Sequence, residues 1–455
     1  TEIYTLSLHD ALPISISISL KGQFKDFDLK QYKNLKYDYK SLVSNFKIDY
    51  TGSDRNDEYP QTLSNNSGSF SSISSLSYRK MKSSDNIQTE ISALFEMEAE
   101  YYKKKFSKEK REEENGKIVP ALHFLGNYRY YFNTKPLLFL GVESTFGTGL
   151  GVRKTRTKID KETRMDERHT KSLAMELPFI VGIGRIDPIQ DARLAVYIFD
   201  DLNKNGVLKR IPGNEEILEL AEKITSIKNK RSFDKRLQKI KEISELNDFL
   251  ISKDIVSNQG AAYFTSLYDN WLYSSGPVRN SGYRLSARFT SFGMHDKNLQ
   301  EIRENKVKVH EYSYELNNYG YKLSIDFEND KPLNLFWQRS IQTEAGFKGL
   351  NDDNNSYFDS KNIFVTGTYN YGYYPNSRTS ILFGVDYSIY YYFHVVDYFD
   401  SYHNYLSTDQ NVWIRLNYYI SERLLLYANS NLVYSLIKAD YDYGLKYSNN
   451  ELSLF

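Results

Sequence analysis

The chain has 455 residues, with 59 Lys and Arg against 58 Asp and Glu, for a formal net charge of +1. That balance excludes a global field aimed at nucleic acid. Cysteine is absent, which excludes a disulfide framework, a thiolate zinc site and a Cys nucleophile. Tyrosine stands out at 40 residues, beside 26 Phe. Mean hydropathy is −0.59, and no run of about 18 apolar residues exists, so no helical membrane span is expected.

Residues Thr1 to Ile14 read TEIYTLSLHDALPI. The string resembles one reading frame of a sequencing-library adapter over its whole length. It lacks a basic start and puts His9 and Asp10 where a signal peptide is apolar. We set it aside and take 15–39 as a lead-in.

From there the dominant signal has period two. Ile381, Phe383, Val385, Tyr387, Ile389, Tyr391, Phe393 and Val395 alternate with Gly384, Asp386, Ser388 and His394. A strand puts each set on its own face, whereas a helix would scatter them. The same alternation runs through Ile91–Tyr101, Leu173–Ile183 and Val412–Ile420. It predicts about fourteen strands, with 12–16 possible: 40–52, 68–81, 87–103, 117–133, 136–152 and 171–185, then 281–294, 309–328, 333–348, 361–374, 379–396, 405–420, 423–438 and 443–455. Many exceed the 5–6 residues usual in soluble sheets, and about 9–11 suffice to cross a bilayer at a tilt.

The connections alternate in length. Polar stretches at 53–67, 104–116, 153–170, 296–308, 349–360 and 396–404 read as long loops. Tight links fall near 82–86, 133–136, 329–332, 374–378 and 421–422. An all-β transmembrane antiparallel barrel keeps this parity, with long loops outside and short turns in the periplasm. Greek-key crossings in a soluble sandwich would break it. Tyr128, Tyr130, Tyr131, Phe132, Tyr369, Tyr371, Tyr373, Tyr374, Tyr418 and Tyr419 sit near strand ends, as aromatic girdles do. The polar faces hold charges of both signs that a wet lumen would accept: Glu96, Glu98, Arg129, Glu143, Glu176, Arg284, Arg288, Lys322, Asp326 and Arg415.

Between Asp187 and Gly276 the period becomes 3.6. Leu194, Ile198 and Leu202 form one stripe. Ile217, Leu220, Ile224 and Ile227 form a second, and Leu237, Ile240, Ile243, Leu246 and Leu250 a third. Two or three helices are expected. Asp187 would cap the first, with Pro188 at its first position. Asn205-Gly206 would end it, and Asn214 would cap the next. The insert follows the sixth strand, so parity puts it in the periplasm. The organisation is then 40–186 for strands one to six, 187–276 for the insert and 277–455 for the remaining strands. The insert's Lys223, Lys228, Lys230, Arg231, Lys235, Arg236, Lys239 and Lys241 stand against Asp234 alone. They form either a solvated helix face or a surface for an acidic periplasmic protein, a cell-wall polymer or lipid headgroups.

Gly182-Ile183-Gly184-Arg185-Ile186-Asp187-Pro188-Ile189-Gln190-Asp191-Ala192 resembles a strand-to-helix junction, and Asp269-Asn270-Trp271 with Gly276-Pro277 resembles the return. Together with the strand pattern they make the chain similar to a group of Gram-negative outer-membrane β-barrel proteins that carry a helical periplasmic insertion. The resemblance covers nearly everything after residue 39. It implies an outer-membrane barrel with the bilayer as partner, and it brings no activity.

Motifs for chemistry are sparse. The histidines are His9, His123, His169, His295, His310, His394 and His403, and none stand at ligand spacing. His394 and His403 with Asp397 and Asp400 are a weak metal candidate; solvated loop residues explain them better. Asp201-Leu202-Asn203-Lys204-Asn205-Gly206 imitates a calcium loop, but Pro212 stands where the twelfth-position acid belongs. Gly182 and Gly184 lead toward Asp187, which would repel a phosphate. No nucleophile elbow or phosphate loop is present. No catalytic residue, cofactor or metal site is therefore expected. The leading function is a pore or transport channel for an unidentified solute. A docking or assembly protein anchored by its barrel is the alternative, and a barrel enzyme the third.

Overall fold

The computed structural model describes residue 24 and residues 26–33, 36–55, 65–106, 110–230, 235–256, 260–274, 279–352, 360–396, 402–421, 424–440 and 446–454. The period-two segments form fourteen strands. Six precede the helices: β1 Tyr37–Arg55, β2 Asn65–Ser83, β3 Ile87–Phe106, β4 Arg111–Tyr131, β5 Leu138–Ile159 and β6 Glu162–Pro188. Eight follow: β7 Asn280–Glu304, β8 Val307–Pro332, β9 Trp337–Asp352, β10 Ser360–Tyr373, β11 Thr379–Val396, β12 Tyr402–Ser421, β13 Leu424–Asp440 and β14 Lys446–Leu454. Each pairs antiparallel with its sequence neighbours, in the order β1 to β14. The sheet is thus an unbroken meander. Among the described residues β1 and β14 are its two free edges.

The strands run longer than the alternation of apolar residues suggested. The expected loops 153–170 and 296–308 are mostly strand. β5 and β6 pair out to Ile159–Glu162, and Asp160 turns with φ 52°. β7 and β8 pair out to Glu304–Val307, and Asn305 and Lys306 turn with φ 48° and 72°. Two-residue hairpins favour such left-handed turn residues. The expected loop 104–116 likewise belongs mainly to β3 and β4. Charges in these outer strand segments pair across neighbouring strands, as in Lys103–Glu114 at 2.5 Å, Lys154–Glu167 at 2.9 Å and Lys297–Glu315 at 3.2 Å. Polarity suggested loop here because these extensions are wet on both faces, so the apolar alternation stops while the pairing continues.

Cross-strand partners point to the same side, so the register assigns each strand two faces. One carries Phe95, Leu140, Phe179, Phe289, Ile325, Ile363, Val385 and Ile414, all of them exposed. The other carries all ten candidate charges, from Glu96 and Glu98 on β3 to Arg415 on β12. Thr290, Ser324, Asn362, Ser380 and Trp413 are buried on this polar face. The polarity is inside out relative to a soluble domain.

The sheet curls around its polar face. Tyr37 of β1 and Arg284 of β7 line one cavity of about 540 Å³. Six strand spacings in a flat sheet would hold them roughly 29 Å apart, far more than such a cavity spans.

Four helices join β6 to β7: α1 Gln190–Lys204, α2 Asn214–Asn229, α3 Lys235–Ser252 and α4 Ala261–Leu272. The expected count of two or three was low. The caps also differ. Asp187 and Pro188 end β6, and Ile189 is the N-cap of α1. Gly213, not Asn214, is the N-cap of α2, and its N–H donates to Glu216. Asn205 does end α1, and Gly206 follows at φ 64°. The calcium-loop imitation is this helix end: Asp201 accepts from Asn270 at 2.6 Å. The core holds the stripes of α1 and α2 with Leu246 and Leu250. Ile240 departs from its expected stripe and is 70% exposed. The lead-in is structural, because Phe24, Phe27, Leu29 and Tyr32 pack into the same core.

Candidate functional site: the polar concave face and its helical cap

Ion pairs run around the concave face at the level of β4 to β9. Arg129 donates to Glu143 at 2.5 Å. Glu143 also accepts from Arg288 at 2.7 Å, reaching from β5 across β6 to β7. Arg288 donates to Asp326 at 3.0 Å. Beside this chain lie Arg284–Glu328 at 2.6 Å and Lys322–Glu344 at 2.8 Å. Hydrogen bonds continue it across later strands: Thr368 to Asp386 at 2.8 Å, Asn411 to Asp386 at 3.2 Å and Ser435 to Asp409 at 2.6 Å. Charges removed from bulk water must be paired in this way.

Six of the ten candidates therefore meet in one network or beside it: Arg129, Glu143, Arg284, Arg288, Lys322 and Asp326. The other four lie apart from it. Glu98 pairs with Lys117 at 2.7 Å, Glu96 is half-buried and Glu176 is exposed, and Arg415 stacks over Trp413 at 4.6 Å. Sequence reasoning missed Glu328 and Glu344, although both occupy the polar phase of their strands.

The helices sit against the end of the sheet that holds the β2–β3, β4–β5, β8–β9 and β10–β11 turns, and touch it around much of its edge. Asn229 of α2 donates to the Lys36 carbonyl and accepts from the Asp38 N–H, both at 2.9 Å. Tyr197 of α1 donates to the Tyr374 carbonyl at 2.8 Å. Asp269 of α4 pairs with Arg378 in the β10–β11 turn. The Tyr273 ring lies 5.7 Å from that of Tyr419 at the end of β12. One module thus reaches the ends of β1, β10 and β12, which requires those ends to lie around a common opening.

The junction strand explains how β6 leaves the sheet. Gly184 has φ +90°, and a Cβ there would meet the Tyr283 carbonyl oxygen at 2.2 Å. Only glycine takes that conformation beside so close a backbone. Arg185 then ties the base together, donating to Asp187 at 2.9 Å and to Ser83 and the Asp85 carbonyl at 2.8 Å.

Arg279 is the return anchor, and no period or motif marked it. It is fully buried. Its guanidinium donates to Gln338 at 3.0 Å, to the carbonyls of Asn334 and Trp337 at 2.9 Å, and to that of Leu335. Burial pushes its pKa down to about 10, which leaves it charged at neutral pH.

The eight basic residues of the insert do not form one free face. Lys228 is half-buried against the buried Asp191 at 2.6 Å and donates to the Ser274 carbonyl at 2.8 Å. Lys223 and Lys230 both hold Glu245, at 3.4 and 2.9 Å. Lys239 is half-buried and Lys241 exposed on α3. Arg231 and the side chains of Lys235 and Arg236 lie outside what is described, as do Asp397, Asp400 and the side chains of His394 and His403. Among the described residues no group of three His, Cys, Asp or Glu could hold a metal ion.

Fold and site together define an antiparallel meander, inside-out in polarity, whose charged concave face is covered at one end by a helical module. No protein-family model matches the chain, and no curated protein sequence matches it. Among solved structures it is similar to the translocator domain of autotransporter NalP from Neisseria meningitidis, at 8% sequence identity over 78% of this chain and 83% of that one, with a TM-score of 0.27. A likeness that weak carries no argument.

Proposed function

We propose that the chain is an outer-membrane β-barrel of a Gram-negative bacterium, and that it passes a small polar solute through an interior gated by its helical module. The observation that carries this reading is the inverted polarity. The alternating apolar residues of the strands lie exposed on the convex face, from Phe95 on β3 to Ile414 on β12. Soluble monomers seldom expose contiguous apolar patches beyond a few hundred Å², so a surface of this extent calls for lipid. The other face buries paired charges, as a wet lumen requires. Membrane strands leave no open edge in hydrocarbon, so β1 and β14 close the barrel in the bilayer.

The sidedness rests on the strand extensions and not on turn length, since the far end also has two-residue turns at 160–161 and 305–306. The helical module shares its end with the connections 84–86, 132–137, 333–336 and 374–378, while β5 to β8 run on as charged hairpins at the other end, the side where such barrels extend outside the cell. The module spans the opening there, so passage needs it to shift. The reading assigns no catalytic chemistry and no cofactor.

Conductance tests the proposal. The purified full chain in planar bilayers should show small, infrequent channels. Arg378→Ala removes the α4 contact with Asp269 and should raise open probability. Silence in both proteins, each inserted and folded, would refute the passage. A docking role is the second reading, favoured by Ile240, Phe264 and Tyr268 exposed on the module. A pull-down with the full chain and with Ile240→Glu separates it from gating.

A further inference from the structure

The cavity between the helical module and the concave face is not explained by closing the opening. It measures about 540 Å³ and is walled by β1–β4, β7 and the module, a size in the range of small-molecule sites. Its wall holds the guanidiniums of Arg129 and Arg284, with Arg79 beside Glu90 at 2.6 Å and Lys228 beside Asp191 at 2.6 Å. The carboxylates that hold Arg129 and Arg284, Glu143 and Glu328, are not part of the lining. The two guanidiniums therefore border the cavity while the carboxylates of their own ion pairs do not.

Two further observations point the same way. The Nε atoms of Arg129 and Arg284, two residues that line the cavity, are buried without a hydrogen-bond partner. Buried polar atoms are normally satisfied, so each guanidinium keeps one donor unmet beside the cavity. In addition, α1 starts at this wall with Gln190, and its N-cap Ile189 offers no side-chain acceptor. The first-turn N–H groups therefore lack a side-chain cap, and the one acid of that turn, Asp191, is turned to Thr225 and Lys228.

We propose that this cavity is a binding site for a small solute bearing an oxyanion, a phosphate or a carboxylate, which the guanidiniums of Arg129 and Arg284 and the start of α1 recognise. Planar guanidinium forks suit both groups. The inference rests on the concave face being an interior, and it deepens the passage reading by giving the solute a charge sign.

Calorimetry on the detergent-solubilised full chain tests it, with pyrophosphate and citrate titrated in separate arms. Saturable binding of either is expected, and the stronger arm names the oxyanion. The double variant Arg79→Gln with Glu90→Gln removes a guanidinium of the wall together with its own carboxylate. The double variant Arg284→Gln with Glu328→Gln removes one fork while leaving no carboxylate stranded. Each should weaken binding by about tenfold, as loss of a charged hydrogen bond does. Unchanged melting and unchanged migration on unheated gels establish that the variants fold. Binding of neither anion, or equal binding in wild type and both variants, overturns the proposal. The assay needs no conductance, so a chain that conducts without binding defeats this site alone, and one that binds without conducting defeats the passage alone.

Discussion

The hydroxyl of Tyr197, in the first helix of the insert, donates to the main-chain carbonyl of Tyr374 at the end of β10, 2.8 Å away and buried. The two residues are 177 apart in sequence. This bond ties the helical module to a turn on the far side of the opening. Tyr197→Phe keeps the ring and strands the carbonyl. The cost should be about 1–3 kcal/mol, borne by the module-to-turn contact. Trypsin should cut 205–213 faster in the variant than in wild type, with the strands still protected. Equal cleavage would show that the bond does not hold the module.

Arg279 should be more sensitive. Its removal strands three acceptors at the base of β7 and β9, because the Trp337 carbonyl keeps the Leu333 N–H. Arg279→Ala is expected to destabilise by at least about 3 kcal/mol. Lys at this position cannot reproduce the planar fork and should rescue little. Thermal unfolding of both variants in detergent reads the effect, and full rescue by Lys would contradict the fork geometry.

The pair of half-buried Lys228 and buried Asp191 gives a test of how the insert is built. Breaking a buried ion pair by removing one partner costs about 3–5 kcal/mol. Lys228→Met should therefore loosen the helices, and the added change Asp191→Asn should recover part of the loss. A double variant no better than the single one would show that the pair is not coupled. Lys228 is consequently unsuited to any test of a basic docking surface.

Sidedness and lipid contact can be tested on the cysteine-free chain. A cysteine at Lys161, in the β5–β6 turn, should react with an impermeant thiol reagent on intact cells, and one at Glu219 on α2 should not. Arginine at Val385 or Ile414 should cost about 2–4 kcal/mol at mid-bilayer. Arginine at Ser388, on the polar face beside Asp409, should cost much less. The reverse labelling pattern would invert the topology, and equal cost on both faces would deny a lipid-facing side.

The helical module should also respond to acid. Lys230, and then Lys223, hold the Glu245 carboxyl below the usual carboxylate range. A depressed folded pKa means stability that is present above the unfolded value, about 4.3, and is lost as pH falls through the folded value. Protease resistance of α2 and α3 should fall in that acidic window, and Glu245→Gln should flatten the response. A response identical in the variant would assign it to other groups.

Much of this architecture could be read before any coordinates. Alternation marked every strand and the face of each candidate charge, because side-chain direction in a strand is a local, two-residue property. The change to period 3.6 marked the insert, and Asn205-Gly206 marked the end of its first helix. The charged extensions of β3 to β8 were not legible as strand, since a strand wet on both faces has no apolar phase to show. Nor could the sequence name partners. Arg288 and Glu143 lie 145 residues apart and meet only because β5, β6 and β7 register side by side. The same holds for Arg279 under the β8–β9 turn, for Lys228 inside the module rather than on its surface, and for the cavity that joins β1 to β7. Pattern along the chain determined which residues face which way. The curl of the sheet and the placing of the helices across its end decided which of them meet, because those contacts depend on register and curvature summed over many strands.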